Sequence, residues 1–147
     1  MRRLALTFCV TALCFANAKK LAMKDLPPEV QKTVQDQLKG GEIKNISKEV
    51  EKGVTQFEVE TMLDGKHRDF EVDSKGTLLV VEDEVSIDAI PAAVKGTILK
   101  SVGSGKLVLV QTVNKPGGEM MYEAAWTGKS GKKHEVLVKA DGRTAKD

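Results

Sequence analysis

Two stretches of this chain carry apolar residues at every fourth position, and after each the period drops to two. Val30, Val34 and Leu38 form the first four-residue series; Ile90, Val94, Ile98 and Val102 form the second. Such spacing lines side chains along one face of an α-helix. Pro27 or Pro28, and later Pro91, suit the first helical turn, where the missing N–H would have had no partner anyway. Gly40-Gly41, and Gly103 through Gly105, are expected to stop the two helices by taking left-handed conformations.

Beyond the first helix, Phe57, Val59, Thr61 and Leu63 alternate with Glu58 and Glu60, as in a strand with one covered face. Asp64-Gly65 is a two-residue hairpin signal. It pairs Leu63 with Lys66, which sets Glu60 opposite Asp69 and Glu58 opposite Glu71. The returning strand turns Phe70 and Val72 inward, and Ser74-Lys75-Gly76 leads into a further strand at 77–81. In the second half, Met120, Tyr122, Ala124 and Trp126 share one face. The return through His134 then sets Glu123 opposite Leu137 and Ala125 opposite Glu135. Residues 42–50 and 106–114 each suggest an additional strand.

The two halves can be laid over one another. A shift of 64 positions brings Leu26, Val30, Val34, Leu38, Ile43 and Ile46 onto Ile90, Val94, Ile98, Val102, Leu107 and Val110. Pro27 then meets Pro91, and Gly41 meets Gly105. The expected architecture is one unit used twice, over residues 24–85 and 86–147, each a helix followed by three or four antiparallel strands. Helices gathered on one side of an antiparallel sheet make this an α+β fold. The second copy runs out at Asp147, so its last strand should be short.

Composition changes this picture mainly at the start. Met1-Arg2-Arg3 is cationic, Leu4–Ala16 carries no charge, and Ala16 and Ala18 occupy the small-residue positions of a signal-peptidase site. The apolar run is well short of the roughly 20 residues that span a membrane. The expectation is a signal peptide over 1–18, cleaved after Ala18, and a periplasmic or secreted product. Cys9 and Cys14 both lie in that leader, so the mature chain would have no disulfide, thiolate nucleophile or thiolate metal site. Removing Arg2 and Arg3 brings the 23 Lys and Arg to 21, equal to the 21 Asp and Glu. The basic field of a nucleic-acid-binding protein is thereby lost.

Little in the mature chain carries chemistry. His67 and His134 lack the paired spacing of metal ligands. No serine sits in a Gly-x-Ser-x-Gly elbow, and Gly103-Ser104-Gly105 follows a helix, whereas a phosphate loop follows a strand. No catalytic residue and no cofactor is expected. The unusual feature is the hairpin that faces Glu58 with Glu71 and Glu60 with Asp69, since like charges opposed across strands are destabilising. An exposed face solvated and neutralised by lysines such as Lys44 or Lys48 would explain it. The alternative is a cation site or a docking patch for a basic partner. Trp126, near a strand end, is a further candidate contact residue.

The Pro-led helices, the "GEI" and "GKL" exits, the "FEV" and "YEA" strand cores and the "FEVDSKGTL" and "VLVKADGRT" hairpins resemble the PepSY-like proteins. The resemblance is to the secreted branch described as β-lactamase-inhibitor-like, and it covers residues 26–147. It implies a non-enzymatic extracytoplasmic module in tandem copies, binding another exported protein and inhibiting or modulating a secreted peptidase or other hydrolase. No inhibitory residue carries over. The competing expectation is a small-ligand or calcium-binding accessory of the cell envelope, with the acidic hairpin face as its site.

Overall fold

The computed structural model of the chain describes residues 20–51 and 53–145; the expected leader and its cleavage point at Ala18 lie outside the described residues. Among these, the chain forms a 3-10 turn at Met23–Asp25, two α-helices and seven strands. Helix α1 is Pro28–Leu38 and α2 is Ala92–Val102. The strands are β1 (Glu42–Glu51), β2 (Val54–Leu63), β3 (Lys66–Asp73), β4 (Leu78–Glu84), β5 (Lys106–Asn114), β6 (Met121–Thr127) and β7 (Lys133–Lys139). They form one sheet whose hydrogen-bonded neighbours follow chain order, β1 to β7. The class is α+β. Two compact units divide the residues. One takes those within Asn17–Val85 and Gln111–Met120; the other takes those within Ser86–Val110 and Met121–Asp147. Gln111–Asn114 goes with the first because these residues pair with Val81–Glu84 at the end of β4.

In the N-terminal unit α1 lays Val30 and Val34 on β1–β3, against Ile46, Phe57, Val59, Phe70 and Val72, with Leu26 closing the helix entry. Removing a Val or Phe side chain from water stabilises by about 1.5–3 kcal/mol, so this cluster dominates the unit. Leu38, expected inside, is only half-buried. The Asp64-Gly65 turn has φ of 51° and 77°, the left-handed pair of the tight hairpin turn. It sets the anticipated register, Leu63 with Lys66 and Glu58 with Glu71.

The C-terminal unit buries Ile90, Val94, Ile98 and Val102 of its helix segment with Val110, Tyr122, Ala124 and Val138. Its hairpin pairs Glu123 with Leu137 and Ala125 with Glu135. Met120 falls outside β6 and is exposed. Past β7, the chain makes an isolated bridge between Val138 and Thr144.

The glycines after the helices do two different jobs. Left-handed φ falls on Lys39, Gly40 and Gly103, and neither Gly41 nor Gly105 has a positive φ, contrary to expectation. Both are sites of close approach. A Cβ on Gly41 would stand 2.9 Å from Met62 O, and one on Gly105 2.7 Å from Trp126 Cδ1. Their amides close the helix ends, Gly41 N–H donating to Leu38 O at 2.7 Å and Gly105 N–H to Val102 O at 2.8 Å.

Candidate partner-binding face

The register of the N-terminal unit assigns every strand side chain to one of two faces, because successive residues alternate. Ile46, Val59, Phe70 and Val81 form a cross-strand row on the α1 side. The opposite face carries Ser47, Glu58, Glu71 and Val80 in one row. Beside it lie Asn45 with Glu60, and Asp69 with Glu82 and Val113. The four carboxylates singled out from the sequence, Glu58, Glu60, Asp69 and Glu71, therefore do share a face.

That face is not the freely solvated surface anticipated. Glu58 is 9% exposed, and Glu60, Asp69 and Glu71 are half-buried. Nor do the nearby lysines do what was expected of them. Lys48 stands opposite Phe57 in the helix-side row, while Lys44 lies in the bulge between Ile43 and Asn45 and pairs with Glu42 at 2.6 Å. Neutral donors serve several of the carboxylates. Ser47 Oγ donates to Glu58 Oε2 at 3.2 Å, Asn45 Nδ2 to Glu60 Oε1 at 3.0 Å, and the Thr61 backbone N–H to Asp69 Oδ1 at 2.9 Å. Thr61 meanwhile gives its hydroxyl to Arg68 O, so side chains hold the hairpin together beside Glu60 and Asp69. Burial pushes the Asp69 carboxyl above its ordinary range; the Thr61 N–H, the charge of His67 and Gln111 act against the rise, and the charge of Glu60 adds to it.

Gln111, which the sequence did not single out, stands opposite Glu84 on the same face. Only 5% of it is exposed, and its side-chain amide is buried beside Asp69. Alternation between Val110 and Thr112 was its only sequence signal. Arg68 was also unforeseen. It lies on the helix side, 7% exposed, ion-paired to Asp83 and reaching Gln37 O at 3.4 Å. Arg68, Asp83, His67 and Glu84 help line a cleft of about 270 Å³ at the hairpin end. Among the described residues, no group of three or more His, Cys, Asp or Glu is arranged to hold a metal ion.

Trp126 lies apart from these carboxylates in sequence and in unit. It is half-buried and stacks on its cross-strand neighbour His134, ring centroids 5.4 Å apart at 17°. His134 is thus a packing partner, whereas His67 is exposed and its backbone N–H donates to Glu84 Oε2 at 2.9 Å. Glu135 in the same unit is raised by burial, against the opposing charge of Lys133, and its Oε1 is buried without a partner.

No protein-family model matches the chain, and no curated protein matches its sequence. Solved structures do match its fold. A protein from Bacteroides eggerthii described as periplasmic superposes with a TM-score of 0.64 at 14% identity, over 82% of this chain and 86% of that one. A DUF2874 family protein from Bacteroides uniformis gives 0.63 at 13%, over 82% and 86%. A BLIP-like protein from Bacteroides fragilis gives 0.53 at 22%, over 82% and 85%. At these identities the likeness is one of fold. No helix among the described residues is long and apolar enough to cross a membrane.

Proposed function

We propose that this chain is a non-catalytic, exported, periplasmic or secreted PepSY-like module that binds another extracytoplasmic protein through its sheet. The observation that carries the reading is the fold match along four-fifths of the chain to Bacteroides proteins described as periplasmic or BLIP-like. The PepSY-like resemblance implies a module that works by covering a partner, which needs no reacting group of its own. The partner class that fits is a secreted peptidase or other hydrolase, whose activity the complex would lower.

The proposal includes two tandem copies, over residues 24–85 and 86–147. Matched details within each unit support it. Thr33 Oγ1 donates to Gly76 O and Thr97 Oγ1 to Gly142 O, both at 2.6 Å. Gly41 and Gly105 repeat the same close approach to a strand backbone, at Met62 O and Thr127 O. The helices are each 11 residues long.

Affinity capture from the native exported fraction, with hydrolase assays on the retained protein, tests the reading. The expected result is a retained exported hydrolase that loses activity when the purified chain is added back. Substrate turnover by the purified chain alone would refute it. A retained hydrolase that stays fully active would remove inhibition and leave binding.

A further inference from the structure

Three observations meet at the turn end of the β2–β3 hairpin, where Leu63, Asp64, Lys66, Arg68, Asp83 and Glu84 help line a cleft of about 270 Å³. The first is a buried donor group with capacity to spare. Arg68 is only 7% exposed, and a guanidinium carries five N–H groups. Its Nε donates to Gln37 O, Nη2 to Gln37 Oε1 and Nη1 to Asp83 Oδ1. One N–H on each terminal nitrogen is left without an acceptor among the described residues, and buried donors in that state are costly. The second is charge of both signs. Asp83 balances Arg68. The exposed Lys66 ammonium, on the same side of β3, makes no ion pair among the described residues. Glu84 takes the His67 backbone N–H on Oε2, which leaves Oε1 open, and Asp64 is exposed. The third is an apolar wall, the half-buried side chain of Leu63.

An anion alone would satisfy Arg68 and Lys66 but would face the carboxylates of Asp64, Asp83 and Glu84. A cation alone would leave the guanidinium donors unmet. A ligand that carries both charges a few bonds apart meets both conditions, and an α-amino acid is the simplest molecule of that kind. The cleft is also smaller than the roughly 300–1,000 Å³ of sites for drug-sized ligands. We infer that this cleft binds a free α-amino acid with an aliphatic side chain. The carboxylate accepts from the spare Arg68 N–H groups beside Lys66, in charge-assisted hydrogen bonds. The ammonium donates to Glu84 Oε1 and Asp64, and the side chain packs on Leu63. This site goes beyond the protein-binding function proposed above and does not depend on it.

The test titrates L-leucine into the mature chain, residues 19–147, by calorimetry, with thermal melts alongside, because a ligand held only by the folded chain raises its melting temperature. Two analogues separate the charges: leucinamide lacks the carboxylate, and N-acetyl-leucine lacks the ammonium. Two variants are chosen to keep the fold. Lys66→Met changes an exposed side chain, and Glu84→Gln keeps an acceptor for the His67 N–H. The expected outcome is saturable leucine binding with a rise in melting temperature, weakened at least tenfold in either analogue. Each variant should bind leucine at least threefold more weakly while melting, without ligand, close to the wild type. The absence of heat and of stabilisation at about 10 mM leucine, where a site with a Kd of about 1 mM would be mostly filled, would overturn the inference. So would an analogue that binds as tightly as leucine, or leucine affinity unchanged in both variants. Stabilisation by inorganic phosphate or calcium ions but not by leucine would do the same.

Discussion

Thr33 donates its hydroxyl to the carbonyl of Gly76 at 2.6 Å, tying α1 to the turn between β3 and β4. Gly76 itself has φ of +84°, and a Cβ there would stand 2.7 Å from Glu29 O. Gly142 is held by Thr97 in the same manner, with a Cβ position 2.9 Å from Ala93 O. Backbone sits where the side chain would go, so relief by rotamer change is not open to it. Gly76→Ala is therefore expected to cost about 2–4 kcal/mol, from left-handed strain together with overpacking. Gly131→Ala, at φ +80° with nothing within 4 Å, should lose only about 1 kcal/mol. Urea denaturation of the three proteins checks the difference; equal losses would mean that the close approach to Glu29 is not formed.

Asp69 supplies a pH-dependent prediction. Its folded-state pKa is raised, first by burial, so the folded chain holds this proton more tightly than the unfolded chain. Above the folded value both states are ionised and the penalty is complete. It is relieved as pH falls through the folded value, and fully so below the unfolded one. Asp69→Asn keeps an acceptor for the Thr61 N–H and removes the opposition to Glu60. It should stabilise by roughly 0.5–1 kcal/mol near pH 7, and the gain should shrink as pH is lowered toward 4. Thermal melts from pH 4 to 8 read this directly. A gain that grows on acidification would have the wrong sign.

Arg68 and Asp83 form an ion pair of unequal exposure, with side-chain accessibilities of 9% and 41%. Removing the more exposed partner strands the buried guanidinium. Asp83→Ala should cost about 2–3 kcal/mol, below the full cost of breaking a wholly buried pair. Arg68→Met, which replaces the cation with an apolar chain of similar reach, should cost less. Chemical denaturation of both variants distinguishes this order from its reverse.

What could be read from the sequence was local. Asp64-Gly65 and strict alternation were enough to pair Glu58 with Glu71, because turn chemistry and a period of two fix register over a single hairpin. Val30 and Val34 followed from helical spacing in the same way. Burial of polar groups was not legible, since it depends on strands distant in sequence. Gln111 belongs to β5 yet lies on the acidic face of β1–β4 because β5 pairs with β4. Arg68 looked like one more hairpin charge, and only its neighbours Asp83 and Gln37 make it an interior residue. Gly41 and Gly105 read as helix stops because nothing in the sequence reports which strand backbone comes near them.

Binding of an exported hydrolase by this chain, with loss of the hydrolase's activity, is tested by calorimetric titration. The purified mature chain is titrated into a purified exported hydrolase retained by it, beside the Glu60→Gln/Asp69→Asn variant, with substrate turnover followed in the same samples. The expected result is saturable binding to the wild type, at least tenfold weaker binding to the variant, falling hydrolase activity as the complex forms, and no turnover by the chain alone. Identical isotherms for the two proteins, or turnover that tracks the chain and not the hydrolase, would contradict it.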